Sequence, residues 1–392
     1  MIAAITAVLA LSAWLYLLAA RGGYWHAERR LPPPPHLKTG WPPVVVVVPA
    51  RNEADVLPET LPSLIAQDYA GPMRVFVVDD HSGDDTAGIV GGFATAAPDR
   101  VSLIQAEPLV PGWTGKLWAM DQGLRHALAH QPDAAYVWFT DADIRHAPDA
   151  LSALVMTADT HDRQLVSTMA LLRSAGVWAG LLIPAFVYFF QKLYPFRWVS
   201  DAAKPQIAGA AGGCVLVRRE TLHAAGGLAA IRDQLIDDCA LARAIRDAGG
   251  RLWLGLTETT VSVRPYATLQ AVWDMVARTA FTQLNHSVWM LLGTVIGMLV
   301  LYLAPPLAVV ASPWLGPWGW LVGLTGLLGW VVMAITYRPT LALYGRPMIQ
   351  AFTLPLCGAL YTAMTVDSAL RHWRGHGGHW KGRVQAGGAA AP

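Results

Sequence analysis

Three short polar clusters in this chain each follow a β-branched or aromatic run. Val44 to Val48 leads into Pro49-Ala50-Arg51-Asn52-Glu53, Arg74 to Val78 into Asp79-Asp80-His81-Ser82, and Tyr136 to Thr140 into Asp141-Ala142-Asp143. Two carboxylates one residue apart offer hard oxygen ligands to Mg²⁺ or Mn²⁺, cations that bridge a diphosphate and absorb its charge as it leaves. Asp-x-Asp alone is a weak signal, and any one cluster serves equally well as a helix N-cap. Three in succession, each at the carboxyl end of a strand, point to one crevice, because ligands of open α/β sheets bind there. The chain has no Gly-x-x-x-x-Gly-Lys-Ser/Thr loop and no Gly-x-Gly-x-x-Gly run, so metal and isolated basic groups must hold any phosphate. Lys116 opens a helical pattern running to His130, where a helix N-terminus also favours anions; the alternative is a solvated surface lysine. Asp237-Asp238 precedes a second helical pattern, Cys239 to Ala248, closed by Gly249-Gly250. This pair either complements the helix dipole or, facing the crevice, repels itself until one carboxyl becomes a proton acceptor.

The elements that must position these residues read as alternating strands and helices. The runs at Val44 to Val48, Arg74 to Val78, Val101 to Gln105, Tyr136 to Thr140 and Gln164 to Leu171 are separated by helical patterns, which predicts right-handed βαβ units and a mostly parallel sheet.

The whole chain is too apolar for an ordinary soluble protein: of 392 residues, 54% are hydrophobic and 14% charged. A net charge of +2 gives no support to nucleic-acid binding, and three scattered cysteines, Cys214, Cys239 and Cys357, form neither a metal motif nor a disulfide framework. Met1 to Ala20 carries no charge and is long enough to cross roughly 30 Å of hydrocarbon. It lacks the basic start of a signal peptide, so it reads as an anchor. Arg21, His26, Arg29, Arg30 and Lys38 follow it, which favours a cytoplasmic central domain. Residues 21–42, with Pro32 to Pro35 and Pro42-Pro43, read as a stiff basic linker and 43–286 as the catalytic domain. Within that domain 176–199 reads as an interfacial helix, with Trp178, Tyr188, Tyr194 and Trp198 at headgroup level and Lys192 and Arg197 snorkelling; a buried core helix is the alternative. Residues 287–367 hold two or three spans, and 368–392 form a basic tail. Three crossings would put that tail outside, against the positive-inside tendency, so one segment is expected to be re-entrant, marked by Pro305-Pro306 or by Pro355.

Taken in order, Pro49-Ala50-Arg51-Asn52-Glu53, Val78-Asp79-Asp80-His81-Ser82, Gly115-Lys116, Asp141-Ala142-Asp143, Gly212-Gly213 and Asp237-Asp238-x-x-Leu241 resemble the motif series of family 2 glycosyltransferases, over about residues 43 to 285. Pro111-Gly112-Trp113-Thr114-Gly115-Lys116, the apolar segments and Trp380-Lys381-Gly382-Arg383 look most like the hopanoid-biosynthesis-associated branch. The resemblance implies an α/β GT-A nucleotide-sugar-binding fold with an N-terminal transmembrane helix and a C-terminal helical membrane region. It implies a nucleotide-sugar donor, a lipid acceptor and the bilayer as partners, with Mg²⁺ or Mn²⁺ as cofactor. Pro49, Arg51, Glu53 and Asp80 would then line the nucleotide, Lys116 the diphosphate, Asp143 with Asp141 the metal, and Gly213 the sugar. Asp238 would be the general base of an inverting transfer, supported by Asp237, which stands where many relatives have Glu. The Gln-x-x-Arg-Trp motif of processive members is absent, which implies a single transfer; Arg278 or Gln283 could serve the leaving phosphate in its place. A polyprenyl-phosphate transferase and a catalytically silent scaffold of the same fold are the competing expectations.

Overall fold

The computed structural model describes residues 1–27, 30–33, 40–375, 379–380 and 383–384. Arg29, Lys38, Pro34, Pro35, His376, Lys381 and residues 385–392 lie outside the described residues. The chain forms two compact units, one of residues 29–173, 198–264 and 378–392, the other of 1–28, 174–197 and 265–377.

The first unit is built on an eight-stranded sheet. Its strands are β1 (Val44–Ala50), β2 (Met73–Asp79), β3 (Val101–Gln105), β4 (Tyr136–Phe139), β5 (Ile144–Arg145), β6 (Leu165–Leu172), β7 (Val215–Arg218) and β8 (Leu252–Ser262), in the order β3-β2-β1-β4-β7-β6-β8-β5. Five consecutive valines make β1 apolar on both faces, which suits a strand covered by helices on either side, and Val44 to Val48 are fully buried. β1 pairs in parallel with β2 and β4, and β2 with β3. The expectation of a mostly parallel sheet needs correction. β7 runs antiparallel between β4 and β6, and β5 runs antiparallel to β8, so the sheet is mixed. β5 and β7 are too short to show a period, and the alternation of β8 is diluted by Thr257, Thr259 and Thr260.

Packing against this sheet fixes where the polar clusters open. Thr114 caps the helix Gly115–His130 by accepting the Leu117 N–H at 3.4 Å, which sets Lys116 in the first turn. Gly123 lets that helix close on the sheet, because a Cβ there would lie 2.7 Å from both Val47 Cγ1 and Val78 Cγ2.

Among the described residues the second unit holds four helices long and apolar enough to cross a membrane: Ile2–Ala20, Val288–Trp314, Gly319–Leu343 and Met348–Trp373. Small residues let two of them close up: Gly319 and Gly323 face Ser312, while Gly326 and Gly329 face Pro305. The helix Val177–Leu193 belongs to this unit, but not as a headgroup-level helix along its length. Tyr188 is fully buried, its hydroxyl 2.8 Å from Tyr24 Oη and 2.7 Å from Thr336 Oγ1, and Lys192 donates to Tyr302 instead of snorkelling. The polar atoms of this helix find partners inside the unit, and that is why it buries. Trp198 falls in the other unit.

The last long helix starts beside the middle of the helix before it. Trp330 Nε1 donates to the Phe352 carbonyl at 3.2 Å, and Gly358 packs on Tyr302. Trp330 is about 16 Å along its helix from Gly319 at 1.5 Å per residue. At the other end the Ser368 hydroxyl accepts the Phe281 N–H at 3.0 Å and Arg371 pairs with Asp274 at 2.7 Å, beside the start of Val288–Trp314. The re-entrant expectation, applied to the Pro355 segment, puts the end of this helix on the same membrane face as the residues after the first apolar helix. In a cysteine-free background, His26→Cys and Arg374→Cys should therefore react with an impermeant maleimide from the same side of sealed vesicles, and Trp318→Cys from the opposite side. Labelling of positions 374 and 318 from one side would mean that the Pro355 helix crosses.

Candidate active site

The site assembles where β1, β2 and β4 end. The loops after β1 and β2 are knitted together: Asn52, at φ 51°, accepts the Gly83 N–H through Oδ1 at 2.7 Å and donates its own N–H to Ser82 Oγ at 3.0 Å. Asp84 Oδ2 accepts the Ala54 N–H at 3.1 Å, and the Glu53 N–H reaches Thr86 Oγ1 at 2.8 Å. Arg51 donates to the carbonyls of Asp80 and His81 and lies 3.5 Å from the fully buried Asp80 carboxylate, so one guanidinium ties the first cluster to the second. Pro49 is inside β1, opposite Val78.

The third cluster meets residues from much later in the chain. Lys116 Nζ lies 2.8 Å from Asp141 Oδ1 and 3.0 Å from Asp237 Oδ2, with its side chain only 17% exposed. Burial alone would pull its ammonium down, but the two carboxylates outweigh that and hold it charged well above the usual range. Asp237 and Asp238 stand in the first turn of the helix Asp237–Asp247. Asp238 accepts the Gly212 N–H at 2.8 Å through Oδ2 and the Cys239 N–H at 2.7 Å through Oδ1. Burial, then the adjacent Asp237 charge, pushes the Asp238 carboxyl up to about 6, while Lys116 and the two N–H donors restrain the shift. Gly212 lies against the pair, its Cα side facing Asp238 Oδ2 and Lys116 Nζ at ordinary contact distance. Gly213 is constrained from another side, where its Cβ would press to 3.1 Å from Ile144 Cδ1.

Asp143 continues the array. Ser262 Oγ donates to its Oδ2 at 2.8 Å, Arg264 Nε approaches the same oxygen at 3.3 Å, and Arg264 Nη2 reaches Glu53 Oε2 at 2.6 Å. Arg264, Ser262 and His146 escaped the sequence reading. The first two follow from a strand, β8, that the reading did not find; an arginine directly after it would have been the signal. His146 is a supporting residue. Its Nε2 lies 2.8 Å from Thr140 Oγ1, which in turn donates to the Gly213 carbonyl at 2.8 Å. Burial pulls the imidazole down to about 3, so it stays neutral and pins β4 to the glycine pair. Arg278 and Gln283 follow later in the chain. They belong to the other unit, where Arg278 is exposed and Gln283 donates to Tyr194 Oη at 2.8 Å.

The donor set suits a hard divalent cation. Among the described residues no group of three or more His, Cys, Asp or Glu is arranged to hold a metal ion. Mg²⁺ ordinarily takes one or two carboxylates and completes its shell with phosphate oxygens and water. Asp141 and Asp143 could supply that pair; each meets a cation, Lys116 on Asp141 and Arg264 on Asp143.

Residues 45–225 match the family profile described as Glycosyl transferase family 2. Over 114 residues the chain is 36% identical to an N-acetylglucosaminyltransferase of Rhizobium leguminosarum bv. viciae, covering 29% of this chain and 24% of that protein. Over 117 residues it is 32% identical to a polyprenol monophosphomannose synthase of Mycolicibacterium smegmatis, covering 29% and 40% respectively. The chain thus spans only 24% of the length of the first of these curated relatives and 40% of the second. In structure it is similar to the mannosyltransferase PcManGT from Pyrobaculum calidifontis in complex with GDP-Man and Mn²⁺, with a TM-score of 0.56 and 23% identity, over 95% of this chain and 98% of that one. The fold is GT-A.

Two substitutions test the charge arrangement. Lys116→Met strands two half-buried carboxylates and should cost roughly 3 kcal/mol of stability, the low end for a broken buried pair. It should also raise the Asp238 pKa, whereas Asp237→Asn should lower it. Chemical denaturation and carboxylate ¹³C NMR titration read the two effects; an Asp238 titration that neither substitution moves would contradict the arrangement.

Proposed function

With residues 45–225 matching glycosyl transferase family 2 on a GT-A fold, we propose that this chain moves one sugar, with inversion, from a nucleotide sugar, UDP-linked, to a hydroxyl of a membrane lipid of the hopanoid or polyprenoid class. The observation that carries the reading is Asp238. Its carboxylate is aimed by the Gly212 and Cys239 N–H groups, and it titrates near 6, where a general base is both ionised at neutral pH and basic enough to accept a proton. The four long apolar helices support a membrane-borne acceptor. A bacterial inner-membrane location with the catalytic unit cytoplasmic is part of the same proposal, supported by Arg21 and Arg30 after the first apolar helix.

The chemistry follows from charge. The acceptor hydroxyl gives its proton to Asp238 as its oxygen bonds to the anomeric carbon. The bond from that carbon to the nucleoside diphosphate breaks, and the diphosphate departs with the electron pair. Lys116 presents the cation nearest Asp141 and so faces the developing phosphate charge, while Asp237 holds the other side of its ammonium and keeps it from swinging out. Asp141 and Asp143 would be the ligands of Mg²⁺ or Mn²⁺, whose contribution when bound is to neutralise the leaving diphosphate. Arg51 and Glu53 sit on the knitted loops beside Asp80 and line the nucleotide end in this reading.

A second reading, transfer to a polyprenyl phosphate, is favoured by the likeness to a polyprenol monophosphomannose synthase. The two differ in their need for a base, because a phosphate acceptor is already ionised. Purified full-length protein with UDP-sugars and extracted lipids should release UDP in a metal-dependent way, and the lipid fraction should gain one sugar mass. Asp238→Asn should lower turnover by about 10² to 10⁴-fold with UDP binding intact. Turnover within tenfold of wild type in that variant would select the phosphate acceptor. The wild-type rate should fall as the pH drops through about 6, because protonation of Asp238 removes the base.

A further inference from the structure

The second cation of the site has no role in the scheme above. Arg264 follows β8 and spans Asp143 and Glu53, with its Nε 3.3 Å from Asp143 Oδ2 and its Nη2 2.6 Å from Glu53 Oε2. Both acceptors are well enclosed, with side chains 15% and 8% exposed, while the arginine is 29% exposed and so retains a path to move. Ser262 Oγ donates to the same Asp143 oxygen and fixes that carboxylate in place. The neighbouring Asp141 is engaged differently, by Lys116, which Asp237 secures from behind. The two carboxylates of the Asp-x-Asp pair are therefore neutralised by two different cations. Arg264 bridges a residue that the proposed function assigns to the metal, Asp143, and one that it assigns to the nucleotide, Glu53.

We propose that Arg264 is a latch that couples metal binding to nucleotide binding. Its guanidinium holds on Asp143 the electrostatic place that a divalent cation would take, so the two compete for that carboxylate. A nucleoside diphosphate offers two adjacent anionic oxygens, the geometry a guanidinium grips bidentately. Transfer of Arg264 from Asp143 to the diphosphate frees the carboxylate for the cation. Binding of either ligand then favours the other, by the same factor in both directions. This role rests on the nucleotide-sugar reading; the latch itself is a property of Arg264, Asp143 and Glu53. Arg264 is a positioning residue in this account.

The experiment measures Mn²⁺ binding to detergent-solubilised full-length protein by electron paramagnetic resonance of the free ion, with and without UDP. Wild type should bind Mn²⁺ weakly alone and more tightly with UDP. Arg264→Met should bind Mn²⁺ alone about tenfold more tightly, bind UDP alone more weakly, and lose most of the enhancement. UDP itself supplies oxygens to Mn²⁺, so the arm with Mn²⁺ alone is the deciding one. If Arg264→Met binds Mn²⁺ alone no better than wild type while melting at a similar temperature, the latch is overturned. Arg264→Lys serves if the methionine variant does not fold. Its single ammonium lacks the fork that spans both carboxylates, so Mn²⁺ alone should again bind more tightly, and unchanged binding counts against the proposal. Failure of the nucleotide-sugar reading looks different: UDP would not bind wild type at all, yet the comparison with Mn²⁺ alone would still report on Arg264.

Discussion

The site depends on one ammonium held between two carboxylates. Lys116 contacts Asp141 from the third polar cluster and Asp237 from a helix almost a hundred residues later, and Asp238 stands directly beside. Without that ammonium the two loops would bring like charges together in a partly desolvated place, where repulsion and burial both favour opening. With it, Asp237 is spent on anchoring Lys116 and is still close enough to keep the Asp238 carboxyl basic. The same contact thus draws these carboxylates together and tunes the Asp238 carboxyl. The backbone at Gly212 adds a neutral contact to the same place, its N–H donating to Asp238.

The two halves of the sheet divide the work. The parallel half, β3-β2-β1-β4, ends three strands at one edge and delivers Arg51, Glu53, Asp80, Asp141 and Asp143 there. Parallel strands give this convergence because each returns through a helix to the same end. The other half brings in what the parallel topology does not. β7 begins just after Gly212-Gly213, and the parallel pairing of β8 with β6 carries Ser262 and Arg264 up beside Asp143. His146 joins the halves by binding Thr140, which holds the Gly213 carbonyl.

The sequence made the first half legible and the second mostly not. Valine runs buried on both faces announce a parallel strand without any partner being known, and polar residues directly after them mark strand ends, so Asp80, Asp141 and Asp143 could be found from local pattern alone. Lys116 and Asp238 were visible as residues of suitable type at helix starts, but nothing local indicated that they would meet. Arg264 was hidden because its strand alternates with threonines, and its importance lies in a contact with Glu53 across more than two hundred residues. Tyr188 and Lys192 were misread for a related reason. Aromatic and basic residues on an apolar helix suit a membrane interface, and only the positions of Tyr24, Thr336 and Tyr302 reveal that their polar atoms are satisfied indoors.

The balance of charge also bears on which acceptor the site suits. Lys116 pairs with Asp141 and Asp237, and Arg264 with Asp143 and Glu53, so each cation already serves two carboxylates. An incoming diphosphate adds negative charge, and a divalent cation and a released guanidinium compensate for it. A second anion beside Asp238 would meet a carboxylate already raised by its neighbour and would drive it toward the protonated form, which has no capacity to act as a base. A neutral hydroxyl brings no such charge and needs the proton acceptor that Asp238 provides. Under the proposed function, the raised Asp238 carboxyl is used by a hydroxyl acceptor and left idle by a phosphate, which is already ionised.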